Sequence, residues 1–306
     1  MNRIADKRNL RRKRRLSTNS RMALFFHSPT FIILTLITLG PVLYTIYLSF
    51  FNYSLSQPGS KNQFIGLNNY AKVFSNPEVF SSLIVTFKFV LISVAVQTVL
   101  GFGIAMIINS LKRGQRVLTA LVMLPMMVAP LVIGLMYSFL LNPQFGIYAY
   151  MVDTLKLPLP LTPLSEPNSA LLVICITDIW EWTPYMVLMF LAGLQSMPME
   201  PFEAARVDGA NALQIFHKIT LPLMKPIFVI ALILRVVEAF KEFDKPYILT
   251  GGGPGSATDV IDMYTYRQAF VNYNYSYAAT ICVILFIILI AIGISYGKFV
   301  MEREKN

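Results

Sequence analysis

Long apolar blocks constrain this sequence more than any other feature. Between Arg21 and Lys61 the chain contains no Lys, Arg, Asp or Glu, and residues 29–51 of this stretch have the length that a helix needs to cross a bilayer. Five further apolar blocks lie at about 82–109, 117–141, 170–194, 223–243 and 278–300. With 55% hydrophobic and only 14% charged residues, the composition excludes a large water-soluble enzyme domain. The sequence therefore predicts an all-α integral membrane protein with six transmembrane helices.

The distribution of positive charge predicts the orientation of these helices, because Lys and Arg accumulate in cytoplasmic connections. Most of the 26 Lys and Arg residues fall in the N-terminal tail, the second and fourth connections and the C-terminus. An even number of spans puts both ends on one side, so both termini are predicted to be cytoplasmic. The expected segments are a basic cytoplasmic tail (1–28), the first transmembrane helix with an external connector (29–79), a core (80–300) and a second cytoplasmic tail (301–306).

The basic run Arg11–Arg15 would, in isolation, also suit a nucleic acid. It lies just before a transmembrane helix, where anionic lipid headgroups attract such charge. Membrane lipid, and no nucleic acid, is therefore the expected partner of the tail.

Two predicted transmembrane helices carry charged residues, which are costly inside a bilayer and so mark candidate functional positions. Each set occupies one helical face, because its members are spaced three, four or seven residues apart. The sets are Asp178, Glu181, Trp182 and Tyr185 in the fourth helix, and Arg235, Glu238 and Glu242 in the fifth.

Aromatic rings beside carboxyl groups suit a sugar, since rings stack on C–H faces and carboxylates accept hydrogen bonds from hydroxyls. Both sets are therefore candidates for lining a substrate pathway. The alternative is that the charges pair with one another or with a partner chain and only hold helices together. Arg235 and Glu238 are spaced to pair within their own helix.

The fourth connection, residues 197–222, predicts a pair of short helices. Pro201 suits a first helical turn, Glu203 lies near the positive end of that helix, and Gly209 is placed to end it. In the second helix Phe216 and Ile219 recur at helical spacing, and Pro222 is predicted to mark the turn into the fifth span. By pattern alone, the pair would also fit an amphipathic elbow lying on lipid.

The spacing within this connection matches a long, gapped motif at every defined position. Glu203-Ala204-Ala205, three residues, Gly209, nine residues, Ile219, one residue and Leu221-Pro222 resemble the EAA motif, E-A-A-x3-G-x9-I-x-L-P, of membrane subunits of binding-protein-dependent ABC importers. The resemblance implies a type I ABC importer permease fold and makes this connection the coupling loop that docks into a cleft of a cytoplasmic ATPase.

The resemblance also implies roles within the loop. Glu203 would face a basic residue of the ATPase, the two alanines would allow close approach, and Gly209 would permit the turn between the helices. The residues expected in this coupling loop are Glu203, Ala204, Ala205, Asp208, Gly209, Ile219, Leu221 and Pro222.

Further segments resemble the carbohydrate group of these permeases, with maltose, raffinose and glycerol-phosphate type subunits. They include Asp178–Pro184, Leu191–Gln195, Phe243-Asp244 and Leu249–Pro254. Compared with the maltose-type subunit, this chain lacks extra N-terminal spans and a large external insertion, so contacts made through that insertion are not carried over.

The resemblance implies a multi-pass subunit of a prokaryotic plasma membrane that imports a sugar or oligosaccharide and is not itself an enzyme. Its expected partners are a second, related permease, two ATPase subunits and an extracytoplasmic solute-binding protein. The chain contains no G-x-x-x-x-G-K-[ST] loop, so ATP and Mg²⁺ are expected on the ATPase, and no catalytic, cofactor or metal site is expected here. Two alternatives stay open: an importer of another polar solute, such as a glycerophosphodiester, and an ion-coupled secondary transporter.

Overall fold

The computed structural model describes residues 2–54, 63–111 and 113–303, with the side chains of 2–21, 23–25 and 295–303 outside the description. Lys112 and the tail residues that predicted the orientation therefore lie outside the described side chains. The longer helices are α1 (Asn2–Ser49), α3 (Pro77–Ser110), α5 (Pro130–Leu140), α7 (Pro167–Ser196), α10 (Leu221–Phe240) and α13 (Tyr275–Arg303).

Shorter elements connect these helices. The short helices are α2 (Asn68–Phe74), α4 (Gln115–Val122), α6 (Ile147–Thr154), α8 (Glu200–Val207), α9 (Ala212–Ile215), α11 (Asp244–Leu249) and α12 (Ile261–Tyr266). Two 3-10 turns (Pro125–Met127 and Pro163–Ser165) and two π-helical turns (Phe216–Thr220 and Arg267–Val271) complete the helical structure. Strands β1 (Phe51–Asn52) and β2 (Gln63–Phe64) pair antiparallel, with Phe51 opposite Phe64.

Five helices within the described residues are long and apolar enough to cross a membrane. They are Phe26–Ser49, Pro77–Ser110, Pro167–Ser196, Ala212–Leu249 and Tyr275–Ile294. These correspond to five of the six predicted spans, so the prediction of a multi-pass helical protein is confirmed.

The predicted third span, 117–141, is not one continuous helix. It consists of α4, the 3-10 turn and α5. Pro125 and Pro130 interrupt it, because proline has no backbone N–H to donate within a helix and disfavours the helical conformation of the residue before it. Ala129, which precedes Pro130, is accordingly extended, with φ −62° and ψ 138°. The apolar composition of residues 117–141 does not show whether they form one helix or two.

The core of the bundle is the contact between α3 and α7. Gly101 makes this contact possible, because a Cβ atom at that position would lie 2.5 Å from Cβ of Met186. Around it, Phe102 packs edge-on to Phe190, with ring centroids 5.5 Å apart. Tight packing of two long helices through a small residue is typical of membrane bundles.

The C-terminal end of α1 is anchored by polar contacts. Asn69 donates hydrogen bonds to the carbonyl oxygens of Ser49 (3.0 Å) and Phe51 (2.9 Å). The Tyr53 N–H donates to Oγ of Ser276, at 2.8 Å. These bonds satisfy backbone groups where the helix ends and attach α1 to α13.

We predict that Gly101→Ala destabilises the protein, because the new methyl group has no room against Met186. Overpacking of this kind costs about 1–3 kcal/mol. The measurement is the melting temperature of detergent-purified protein. The matched control is Gly103→Ala on the same helix, where no atom lies within 4 Å of the added Cβ. Equal melting temperatures for the two variants would contradict the packing argument.

Candidate functional site

The helix pair predicted for residues 197–222 is present. Helix α8 ends in a Schellman motif: Ala210 N–H donates to the Ala205 carbonyl (2.9 Å), and Gly209 N–H donates to the Arg206 carbonyl (3.1 Å). Gly209 has φ +75°, a left-handed conformation that glycine adopts without a steric penalty. Helix α8 begins at Glu200, so the predictions that Pro201 lies in the first turn and that Gly209 ends the helix are both confirmed.

Helix α9 begins at a capping box. The Gln214 N–H donates to Asn211 Oδ1 at 2.9 Å, and the Asn211 N–H donates to Gln214 Oε1 at 2.8 Å. The reciprocal pair satisfies two backbone donors that a helix start otherwise leaves open. The turn between α8 and α9 is therefore defined at both ends by local hydrogen bonds.

The prediction that Pro222 marks a turn into the fifth span is wrong. Helix α9 continues through the π-helical turn Phe216–Thr220 directly into α10, and Pro222 lies in the first turn of α10. At the end of the π turn the Leu221 N–H donates to the Phe216 carbonyl five residues earlier. One helix thus leads from the surface loop into the bundle.

The motif residues of the loop differ in exposure. Glu203, Ala204, Asp208, Gly209 and Pro222 are exposed, and Ala205, Ile219 and Leu221 are half-buried. Val207, between the motif positions, is 87% exposed. The loop therefore presents both charged and apolar groups at the surface of this chain.

The second candidate region is a network of charged side chains in the bundle interior. Asp178 on α7 pairs with the Arg235 guanidinium on α10, and both side chains are almost completely buried. Gln97 on α3 joins them. Its amide nitrogen donates to Asp178 Oδ2 and to the Asp178 carbonyl, each at 2.9 Å, and its Oε1 accepts from Arg235 Nε at 2.8 Å.

Lys245, near the start of α11, is the hub of this network. Its Nζ lies 2.7 Å from Glu181 Oε2, 2.7 Å from Glu242 Oε2 and 3.1 Å from Asp178 Oδ1. The Asp178 oxygen has no hydrogen-bond partner among the described residues, so its contact with Lys245 is electrostatic only. Three carboxyl groups thus face two cationic side chains in the network.

The expected pair between Arg235 and Glu238 does not form. Arg235 points into the bundle, while Glu238 pairs with Lys241 at 2.8 Å, both about half exposed. The interior contacts are favoured over a pair with Glu238 because Arg235 has two partners inside the bundle, Asp178 and Gln97. A buried cation must be paired.

The aromatic members of the fourth-helix set border the network. The Arg235 Cζ lies 5.1 Å from the centre of the Trp182 ring, within cation–π range. Trp182 and Tyr185 meet edge to face, with centroids 6.1 Å apart, and both are half-buried. Trp182, Tyr185 and Glu238 are thus accessible members of the predicted sets, whereas Asp178, Glu181 and Arg235 are interior.

Sequence reasoning missed Gln97 and Lys245. Lys245 lies two residues beyond the predicted fifth span, so it was counted with the external charges. Gln97 is an uncharged amide in the middle of α3. Buried amides, like buried charges, are costly in a membrane unless they are paired. Applying this rule to amides as well as to charged residues would have identified Gln97 as a candidate.

Comparison with known proteins shows what this architecture is. Residues 97–297 match the family described as binding-protein-dependent transport system inner membrane component. The chain belongs to this family. It is therefore a multi-pass membrane protein and the permease component of a binding-protein-dependent transport system.

Individual relatives of this permease cover most of its length. A trehalose/maltose transport system permease protein of Thermococcus litoralis is 40% identical over 203 residues, 66% of this chain and 68% of that protein. A sulfoquinovosyl glycerol transport system permease protein of Agrobacterium fabrum is 35% identical over 268 residues, 87% of this chain and 86% of that protein. These relatives are transporter subunits, not enzymes.

The fold of the permease also matches a solved structure. A chain of a bacterial ABC transporter involved in the import of the acidic polysaccharide alginate aligns with a TM-score of 0.78, covering 93% of this chain and 98% of that chain. At 20% identity, this likeness concerns the fold alone.

We predict that Lys245→Met destabilises the permease, because three carboxylates would then face Arg235 alone. Removing one partner from a buried ion network costs about 3–5 kcal/mol. The measurement is the melting temperature and the yield of monodisperse protein in detergent. Lys241→Met is the control, since the exposed pair of Lys241 with Glu238 contributes under about 1 kcal/mol. A Lys245→Met protein as stable as the Lys241→Met protein would contradict the assigned role.

Proposed function

We propose that this permease imports a sugar or oligosaccharide in an ATP-driven complex. The observation that carries the proposal is the exposed EAA-motif helix pair joined directly to α10, in a chain whose relatives are permeases for trehalose/maltose and for sulfoquinovosyl glycerol. The half-buried Trp182 and Tyr185 beside carboxylates supply groups that suit saccharides. The partners proposed are a second related permease, two ATPase subunits and a solute-binding protein.

The proposed setting is a prokaryotic inner membrane, with both termini in the cytoplasm. The excess of Lys and Arg in the tails and in the second and fourth connections supports this orientation. It requires an even number of crossings, so the broken segment from α4 to α5 serves as the remaining crossing. Non-helical backbone is tolerated at membrane depth where protein surrounds it, and α5 packs against α11.

We assign the docking of the ATPase to the loop 197–222. Glu203, Ala204 and Gly209 are exposed, and the half-buried Ile219 and Leu221 belong to the helix that enters the bundle. A displacement of α8 reaches α10 as a shift of a whole helix, because packed helices move as units. ATP, bound by the partner, thereby shifts the permease between inward-facing and outward-facing states for which it has different affinities.

The proposed pathway runs past the accessible face of α7 and α10. Trp182, Tyr185 and Glu238 are the groups available for contact with the solute. Asp178, Glu181 and Arg235, with the partly exposed Glu242, hold that face in position through the network around Lys245. Sugar hydroxyls reach Glu238, and the rings stack on C–H faces.

The decisive experiment begins with a tagged chain, purified gently from native membranes and identified with its partners by mass spectrometry. The complex is then reconstituted into liposomes, and uptake of labelled sugars is measured with and without ATP. Recovery of an ATPase and a second permease with ATP-dependent uptake supports the proposal. Recovery of the chain alone, with uptake that requires only an ion gradient, overturns it and favours a secondary transporter.

We predict that Gly209→Asp abolishes import without preventing membrane insertion. The change puts a side chain at φ +75°, at a cost of about 1–2 kcal/mol, and adds a carboxylate beside Asp208 on the docking surface. Uptake should fall about tenfold or more, with loss of ATPase co-purification. Gly114→Asp is the control, since Gly114 has φ +79° and equally open space but lies outside the loop. Normal uptake by a well-expressed Gly209→Asp protein would contradict the coupling assignment.

We predict that Trp182→Ala impairs sugar-stimulated transport and leaves ATPase docking unchanged. Trp180→Ala is the matched control, because Trp180 lies on the same helix, 39% exposed, against Tyr137. The measurements are uptake in liposomes and the amount of co-purified ATPase. Loss of complex assembly in Trp182→Ala alone would show that the ring only supports the bundle.

A further inference from the structure

A series of aromatic rings extends from the end of α10 across the connection to α13. Neighbouring ring centroids lie 5.0–6.5 Å apart. In order of contact the series, here called the ring track, is Tyr247, Phe243, Tyr266, Phe270, Tyr275 and Tyr53.

The ring track is assembled from separate parts of the chain. Phe243 and Tyr247 belong to the start of α11, Tyr266 is the last residue of α12, and Phe270 lies within the π-helical turn that follows. Two of these rings remain accessible, Tyr247 at 48% and Phe270 at 59% exposure. Every ring in the track contacts the next, which distinguishes the track from scattered aromatic residues at a membrane interface.

Charged groups accompany one end of the track. The Glu238–Lys241 pair is about half exposed and lies one turn before Phe243. Asp262 on α12 is half-buried; burial raises the pKa of its carboxyl to about 6, against the opposing effect of the Lys241 ammonium. The lipid-compatible span Phe26–Ser49, by contrast, contains no Asp, Glu, Lys or Arg. Rings beside carboxylates and an ammonium fit a polar solute with apolar faces, not acyl chains.

The end of the track at Phe243 lies close in sequence to the pathway face already described. Phe243 follows the end of α10 at Phe240, and within α10 Glu238 lies one turn after Arg235, whose guanidinium lies over the Trp182 ring. The chain therefore leads from the ring track directly into the helix that carries Glu238 and Arg235. In the predicted orientation, the segment between α10 and α13 is external, on the side from which a binding protein delivers its solute.

We propose that the ring track is an entry surface on which the pyranose rings of the sugar stack as they pass from the binding protein to Trp182. This inference rests on the proposed sugar import and adds a defined external surface to it. Tyrosine rings offer a face for C–H stacking and a hydroxyl for hydrogen bonding, and successive contacts let a saccharide exchange one ring for the next.

The test uses the complete complex, reconstituted with its solute-binding protein, and a panel of labelled trehalose, maltose, raffinose and maltotriose. The variants Tyr247→Ala and Phe270→Ala remove the two most accessible rings. At saturating sugar and binding protein, uptake per ATP hydrolysed should fall about threefold to tenfold, as expected for the loss of one stacking contact. ATPase activity stimulated by the binding protein should stay at the wild-type rate.

Two further variants separate stacking from folding. Tyr247→Trp and Phe270→Trp keep a ring and should restore uptake, whereas a purely structural defect would not be relieved by a larger side chain. Tyr150→Ala is the control, an aromatic residue 70% exposed on α6 and outside the track, and it should import at the wild-type rate.

The outcomes distinguish the two proposals. If the wild-type complex imports no sugar of the panel, both the proposed sugar import and the proposed role of the ring track are overturned. Wild-type import with unchanged uptake in both alanine variants overturns the track alone. Loss of the co-purifying second permease from the alanine variants would show that this surface binds a protein chain, and would also overturn the track.

Discussion

A cation buried among carboxylates is the interaction on which the rest of this bundle depends. Lys245 reaches Glu181, Glu242 and Asp178, and Asp178 is in turn held by Arg235 and Gln97. Water is scarce at membrane depth, so each of these groups must find its partner within the protein. The network therefore connects α3, α7, α10 and α11 at one level. This network fixes the relative position of α7 and α10, and so of the faces that carry Trp182 and Glu238.

Proline and glycine determine where the helices depart from straight rods. Pro125 and Pro130 break the segment between α3 and α6, so α5 is short and packs beside α11. Pro222 lies just after the π turn and does not interrupt the helix. Gly209 turns the chain at the surface, and Gly101 brings α3 against α7. Proline and glycine thus break a helix at some positions and allow a turn or a close helix contact at others, depending on the local backbone hydrogen bonds.

Much of this architecture was predictable from local signals. Apolar length identified five spans, and the pattern around Pro201 and Gly209 identified the surface helix pair, because both features depend on residues close together in the chain. The pair of Arg235 with Glu238 that their spacing allowed does not form, since helical periodicity places a residue on a face without showing which helix that face contacts. Lys245 was missed because it lies just beyond the predicted fifth span, and Gln97 because only charged residues were considered inside the spans. The break at Pro125 and Pro130 was not predicted, because a continuous transmembrane helix would have the same apolar composition.

The unbroken helix from Ala212 to Phe240 has a mechanical consequence. It is about 44 Å long, so a tilt of about 5° around its midpoint moves its two ends by about 2 Å in opposite directions. Arg235 lies about 13 Å from the midpoint and would move by about 1 Å, which is enough to lengthen its 2.8 Å hydrogen bond to Gln97 beyond hydrogen-bonding distance. A force applied at the surface loop would thus separate the buried ion pair between Arg235 and Asp178. The energy needed to open that pair sets a threshold, and a push below the threshold leaves the helix where it was.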